Sequence, residues 1–315
     1  MAIYYTGRTA LDFWRWKAAT LSTVERPRPV RRLTLSGGPV DEAQAQIGCG
    51  HFRNQEHRIE LLVKSKRHTH SSQNARYVVC TRQLPPNAFH RLNEDRFVAS
   101  PEFAFIALAR QLDLIDLVLL GCELTGTYVT SDADERGFVQ CEPLATVASL
   151  ARMASNCTGF GGIKRALAAS RHVVENAASP MESCVALLLT MPRHLGGYGL
   201  PKPRLNYKLE LSREQCIPLK RKSITVDMMW PSAKMAIEYE STAWHHGDEK
   251  FVQDSIRRND IRSLGYDVTT ITRNEYKSIA AMDRIAANVA AKVGHRLRFE
   301  RINRNAQSEL RRAMG

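Results

Sequence analysis

Two short runs, Val226-Asp227-Met228-Met229-Trp230-Pro231 and Met235-Ala236-Ile237-Glu238-Tyr239-Glu240, place three carboxylates inside apolar, strand-forming sequence, and Trp244-His245-His246 follows directly. An ionised side chain in such a run is costly to bury unless a cation or a set of hydrogen bonds offsets its desolvation. The runs predict strands over 224–229 and 234–240, joined by a Trp-Pro-Ser turn. Any fold this chain adopts must therefore bring acids together on a β-hairpin and compensate them there.

Asp227 and Glu238 are eleven positions apart with a turn between them, so adjacent antiparallel strands bring the two carboxylates to one edge of a sheet. Two hard oxygen donors suit Mg²⁺ (or Mn²⁺), an ion that polarises a phosphoryl oxygen and activates water. Two buried acids on neighbouring strands repel each other without a cation, which favours a functional reading of this pair. Glu240 shares the parity of Glu238 and is placed to orient or deprotonate water. His245 and His246 stand just past the strand, where an imidazole can stabilise phosphorane charge or protonate a leaving oxygen; an adjacent His pair is equally an ordinary solvated turn. Trp244 is a candidate base-stacking residue or a core residue. Arg257, Arg258 and Lys222 are candidate nucleic-acid contacts, although Arg257 and Arg258, with Asp254 and Asp260, also read as a charge-laced helix face.

The charge balance supports a polyanionic partner. Lys and Arg total 45 against 32 Asp and Glu, a net charge of +13, which favours phosphate contacts with counterion release, nucleic acid first. The seven cysteines include no C-x-x-C pair, which argues against a zinc module or disulfide framework and for a reducing, cytoplasmic setting. No signal-like segment opens the chain and no apolar run reaches membrane-spanning length, so no membrane partner is expected.

The length and the 43% hydrophobic content allow two domains. In the first half, 58–63 and 75–80 read as strands around the basic run Lys64-Ser65-Lys66-Arg67-His68-Thr69-His70, which predicts a basic hairpin or loop. Ser100-Pro101-Glu102 starts a helix, a second apolar helix spans about 114–120, and 146–154 and 163–169 add short ones. Ser179-Pro180-Met181-Glu182 starts another helix in capping-box form, which already accounts for Glu182. A helix over 249–264 ends at Gly265 and feeds a strand over 266–272. A single long helix is predicted from 274 to about 297. The expected organisation is a mixed α+β domain over 1–175, an α/β domain over 176–298 and a basic tail over 299–315.

The C-terminal region resembles the very-short-patch repair endonuclease-like branch of the PD-(D/E)XK nuclease superfamily. The elements that carry the resemblance are Val226-Asp227-x-x-Trp230-Pro231, Ile237-Glu238-Tyr239-Glu240, Trp244-His245-His246, Asp254-x-x-Arg257-Arg258-Asn259-Asp260 and Leu264-Gly265-Tyr266-Asp267-Val268. Upstream, Ser179-Pro180-Met181-Glu182-Ser183 and Leu195-Gly196-Gly197-Tyr198-Gly199-Leu200-Pro201-x-Pro203 look like the helix and connector that precede such domains in bacterial proteins. The resemblance implies a restriction-endonuclease-like fold, a mixed sheet flanked by helices whose first helix carries an acid facing the site. By position that acid is Glu182. It implies further that Asp227 and Glu238 hold the metal and that His245 serves catalysis. Glu240 stands where the family pattern has lysine, a departure from it. The N-terminal half resembles, more weakly and chiefly through Ala99-Ser100-Pro101-Glu102, the region that precedes nuclease domains in abortive-infection-type antitoxin relatives.

The expected function is that of a Mg²⁺-dependent DNA endonuclease whose N-terminal domain positions substrate or a protein partner. The competing expectation is a catalytically silent nuclease-fold protein that binds nucleic acid or protein in a defence or toxin-antitoxin system.

Overall fold

Both serines predicted to start helices do so. Ser100 Oγ accepts from Phe103 N at 3.1 Å and Ser179 Oγ accepts from Glu182 N at 3.2 Å, with Pro101 and Pro180 in the first turns, where a missing N–H costs nothing. The computed structural model describes residues 2–20, 27–50, 52, 54, 56–240 and 248–314, with the backbone alone over 248–254. The chain separates into Met1–Val173 and Val174–Gly315.

The first unit contains, in chain order, β1 (Ile3–Tyr5), α1 (Gly7–Ala19), β2 (Arg28–Pro29), α2 (Glu42–Cys49), β3 (Ile59–Val63), β4 (Ala75–Val79), β5 (Phe89–Arg91), β6 (Arg96–Ala99), α3 (Pro101–Leu108), α4 (Leu114–Thr125), β7 (Tyr128–Thr130), β8 (Phe138–Gln140), α5 (Val147–Asn156) and α6 (Ile163–Ser170). Six strands form a mixed sheet in the order β2-β5-β6-β1-β3-β4, and β7 and β8 make a separate hairpin. The core holds Tyr5, Leu61, Phe89, Phe105 and Leu117. Glu60 is buried on β3, where Oε2 accepts from the Arg8 N–H in the first turn of α1 at 2.9 Å and Gln111 and Arg76 donate to Oε1. A carboxylate there meets the positive end of the helix. Of the two outcomes expected for the basic run, hairpin or loop, the structure has the loop: β3 and β4 pair in parallel, Ile59 with Ala75 through Val63 with Val79. β3 is buried throughout while β4, at the edge of the sheet, buries only Ala75, and the 64–74 segment is long enough to return as a crossover.

The second unit contains α7 (Pro180–Thr190), β9 (Arg204–Glu210), α8 (Arg213–Leu219), β10 (Ser223–Trp230), β11 (Met235–Glu240), α9 (Asp248–Ser263), β12 (Asp267–Thr272), α10 (Arg273–Lys277), α11 (Ile279–Lys292) and α12 (Arg304–Ala313). Its four-stranded sheet has the order β12-β11-β10-β9, antiparallel between β9, β10 and β11 and parallel between β11 and β12. Ile261 of α9 packs with Ile224, Val226, Met229, Ala236 and Val268 on one face. Thr269, of opposite parity to Val268, accepts a hydrogen bond from Asn288 of α11 at 3.3 Å. The result is a mixed sheet flanked by helices. Gly265, at φ +83°, ends α9 as predicted.

Two expectations fail here. The predicted long final helix is broken at Ser278, where ψ is 118° and Oγ caps Ala281 N, so α10 and α11 are separate helices. The segment expected as a basic tail contains α12, which buries Gln307 and Leu310, with Met314 buried just after it, and keeps Arg311 and Arg312 in its last turn. The helix is amphipathic, and three buried side chains outweigh the solvation of its arginines. Among the described residues, no helix is long and apolar enough to cross a membrane.

Candidate active site at the fork of two strands

The hairpin forms as predicted, with Met228 opposite Ile237, Met229 opposite Ala236 and Trp230 opposite Met235. A 3₁₀ turn over Pro231–Ala233 and a left-handed Lys234 (φ 47°) close it, and Trp230 Nε1 donates to the Pro201 carbonyl at 2.8 Å. The next pair in register is Asp227 with Glu238. There the ladder changes character: the Tyr239 N–H donates not to a backbone carbonyl but to Asp227 Oδ2, at 2.8 Å. A side-chain acceptor thus replaces a main-chain one, and the two strands separate at the acids.

The same residue marks a break on its other side. The β9–β10 register passes from Val226–Tyr207 to Met228–Leu205, and Asn206, between them, is left-handed at φ 46°. In an unbroken strand Val226 and Met229 face opposite sides, yet both belong to the cluster around Ile261. The β9–β10 register is the same on both sides of Asp227, so no residue is inserted, and the left-handed Asn206 opposite it marks a local irregularity in the ladder.

Glu182, in the first turn of α7, approaches this break. Oε2 accepts from Ala178 N at 2.8 Å and from Asn206 Nδ2 at 2.9 Å, and Oε1 accepts from Ser179 Oγ at 2.9 Å. The capping motif is real, but the carboxylate reaches one residue further back than a standard capping box. Burial raises its pKa to about 7, and the nearby Asp227 charge raises it too, against the lowering effect of the three hydrogen bonds. Glu182 and Asp227 are thus near enough for their charges to interact.

Glu238 is buried and forms an ion pair with Arg257, which also donates to the Thr225 carbonyl at 3.4 Å. Glu240 is a third exposed and pairs with Arg258. The two arginines, candidate nucleic-acid contacts in the sequence, are thus engaged by the acids of β11. Lys222 is exposed one residue before β10. Trp244, His245 and His246 lie outside the described residues, and Asp254 lies where only the backbone is described. Asn206 was not anticipated. Its signal was present, since Asn is unfavourable in strands and, of the non-glycine residues, among the most tolerant of left-handed backbone.

The donor set fits a hard divalent cation in chemistry, because Asp227, Glu238 and Glu182 offer only carboxylate oxygens. The pKa of Glu182 is raised first by burial and second by the Asp227 charge, which a cation bound between the two carboxylates would offset. Against this, Arg257 already balances Glu238, so ligation by Glu238 requires that it share or release the guanidinium. Among the described residues, no three His, Cys, Asp or Glu are grouped closely enough to hold a metal ion.

Two uncharacterized proteins of Mycobacterium tuberculosis, from strains CDC 1551 / Oshkosh and ATCC 25618 / H37Rv, are each 28% identical to this chain over 136 residues, 40% of this chain and 43% of the relative. The match thus spans less than half the length of these relatives. No family model matches the chain, and no solved structure matches it.

Proposed function

We propose that Val174–Gly315 carries a restriction-endonuclease-like site that hydrolyses DNA phosphodiester bonds with a divalent metal. The observation that carries this reading is the strand fork, where Asp227 and Glu238 fall opposite each other as the ladder opens and the Asp227 charge acts on Glu182. The order of helix, strand, short helix, two strands each antiparallel to the one before, helix and parallel strand, with an acid on the first helix, supports it.

In this reading Asp227 and Glu238 hold Mg²⁺ or Mn²⁺, which supplies Lewis-acid polarisation of the phosphoryl oxygen and an acidified water. Asp227 is oriented by the Tyr239 N–H, which fixes one oxygen and directs the carboxylate into the fork. Glu182, poised to titrate near neutrality, can hold or release a proton at the same place. Arg257 limits access of the cation to Glu238. Glu240 at the lysine position is balanced by Arg258, so the positive charge that the family pattern places on the strand is supplied here by the neighbouring helix.

The test is metal-dependent nicking of supercoiled plasmid by the wild-type protein and by Asp227→Ala and Glu238→Ala variants, with and without chelator. Nicking that needs metal and is lost in both variants supports the enzyme; equal background nicking in all samples overturns it. A second reading, a catalytically silent nuclease-fold protein that binds nucleic acid or protein, is favoured by one observation: both acids of β11 are already neutralised by arginines. DNA binding that survives both substitutions, without nicking, supports that reading instead.

A further inference from the structure

The crossover between β3 and β4 is built to present cations. From Leu61 to Asn93 the sequence contains no Asp or Glu, while it carries six Lys or Arg and three His. Within the crossover, Lys64, Lys66, Arg67 and His70 are exposed, and the side chains of Lys64, Lys66 and Arg67 make no hydrogen bond or ion pair among the described residues. Exposed cations are common, and by themselves they show only a basic surface.

The backbone that carries them is unusually well tied down for an exposed connection. His68 N and Thr69 N donate to the Ser65 and Lys66 carbonyls at 3.1 Å in a 3₁₀ turn, and Thr69 Oγ1 donates to the Lys66 carbonyl at 2.8 Å. Ser72 Oγ accepts from Asn74 N and Ala75 N at 3.0 Å and donates to Glu42 Oε2 at 2.8 Å. Arg58 clamps the Ser72 carbonyl at 3.3 Å. The acids on the packed helix α2 are Asp41, which caps it, and Glu42, whose carboxylate is taken up by Tyr77, Ser72 and His70. Opposite charge at the base of the loop is spent on holding its shape, and the outward residues remain cationic.

We propose that this crossover is a phosphate-binding element that holds duplex DNA, an inference that rests on the DNA-directed reading above and assigns part of the substrate contact to the first unit. Several exposed cations on an open loop whose backbone is tied down suit a repeating polyanion more than a single small anion, which would need an enclosed pocket. Every exposed side chain of the crossover is polar, so nothing there inserts into lipid, which favours nucleic acid over an anionic membrane.

The test compares the full chain with Lys64→Gln/Lys66→Gln/Arg67→Gln and with a charge-matched control, Arg110→Gln/Arg152→Gln/Lys164→Gln. Binding to a short DNA duplex is measured in chelator over a range of salt. Loss of three phosphate contacts is expected to reduce the slope of log K against log salt by about 2 to 3 and affinity at moderate salt by tenfold or more, with little change in the control. Equal losses in both triple variants, or none in either, would overturn the proposal, as would binding of phosphatidylserine vesicles but not DNA by the wild-type chain. Metal-dependent nicking is read separately. If nicking persists while the crossover variant binds as the wild type does, the nuclease reading stands and this inference falls.

Discussion

The Asn206 side-chain amide donates to Glu182 Oε2 at 2.9 Å and to the Asn176 carbonyl at 2.6 Å, from a backbone in the left-handed region. One residue thereby ties the break in β9 to the acid on α7. Asn206→Ala removes both bonds and leaves an alanine at φ 46°, so a loss of about 2 to 3 kcal/mol is expected in urea unfolding. Asn206→Asp should be tolerated at pH 5, where Glu182 is neutral and can donate, and be strongly destabilising at pH 8.

The raised pKa of Glu182 sets a direction for the pH dependence of stability. Its carboxyl binds a proton in the folded state up to about pH 7 but in the unfolded chain only up to its ordinary value near 4.5. The folded state is therefore favoured by the proton below pH 4.5, and that contribution is lost as pH rises from 4.5 to about 7, by about 3 kcal/mol in all. Asp227→Asn keeps an acceptor for the Tyr239 N–H while removing the repelling charge. It should flatten this loss, read as a smaller fall in Tm between pH 5 and pH 8 than in the wild type.

Arg257 and Glu238 form a pair whose members should not be removable singly. Arg257→Ala leaves a buried carboxylate without its cation and should cost about 3 to 5 kcal/mol. In a Glu238→Gln background the same substitution should cost much less. A double-mutant cycle by chemical denaturation checks this; additive losses would show that the pair is not coupled.

If a divalent cation binds at the fork, it should restore what Glu182 and Asp227 lose to repulsion. Mg²⁺ or Mn²⁺ is then expected to raise Tm at pH 8, to do so far less at pH 5, and to have no effect on Asp227→Ala. Chelator should reverse the shift.

Gly196 ends the turn after α7 at φ +90°, and a Cβ there would lie 2.4 Å from Gln307 N and 2.5 Å from the Ala306 carbonyl carbon. Gly196→Ala should therefore displace α12, lowering Tm and opening the chain near Asn303 to proteolysis. The left-handed backbone alone costs an alanine about 1 to 2 kcal/mol.

Much of the second unit was legible locally. Ser179, Pro180, the Trp-Pro-Ser turn and Gly265 each dictate a start, a turn or a stop through their own backbone chemistry, and each acts as read. What misled was chemistry that depends on partners several residues or an entire layer away. The Ser278 cap interrupts a helical pattern that hydrophobic spacing continues, and α12 looks like a solvated tail until Leu310 finds a surface to cover. The parallel pairing of β3 and β4 has no local signal that separates it from a hairpin.

The site divides in the same manner. Alternation and turn chemistry, which act between neighbours in the chain, sufficed to put Asp227 and Glu238 across from each other on a hairpin. They did not determine what each carboxylate meets. The Tyr239 N–H on Asp227, the arginines of α9 on Glu238 and Glu240, and the Asn206 amide on Glu182 are set by how helices pack on the sheet. Charge compensation of a buried acid depends on distance and desolvation in three dimensions, and only the tertiary structure brings those groups within reach.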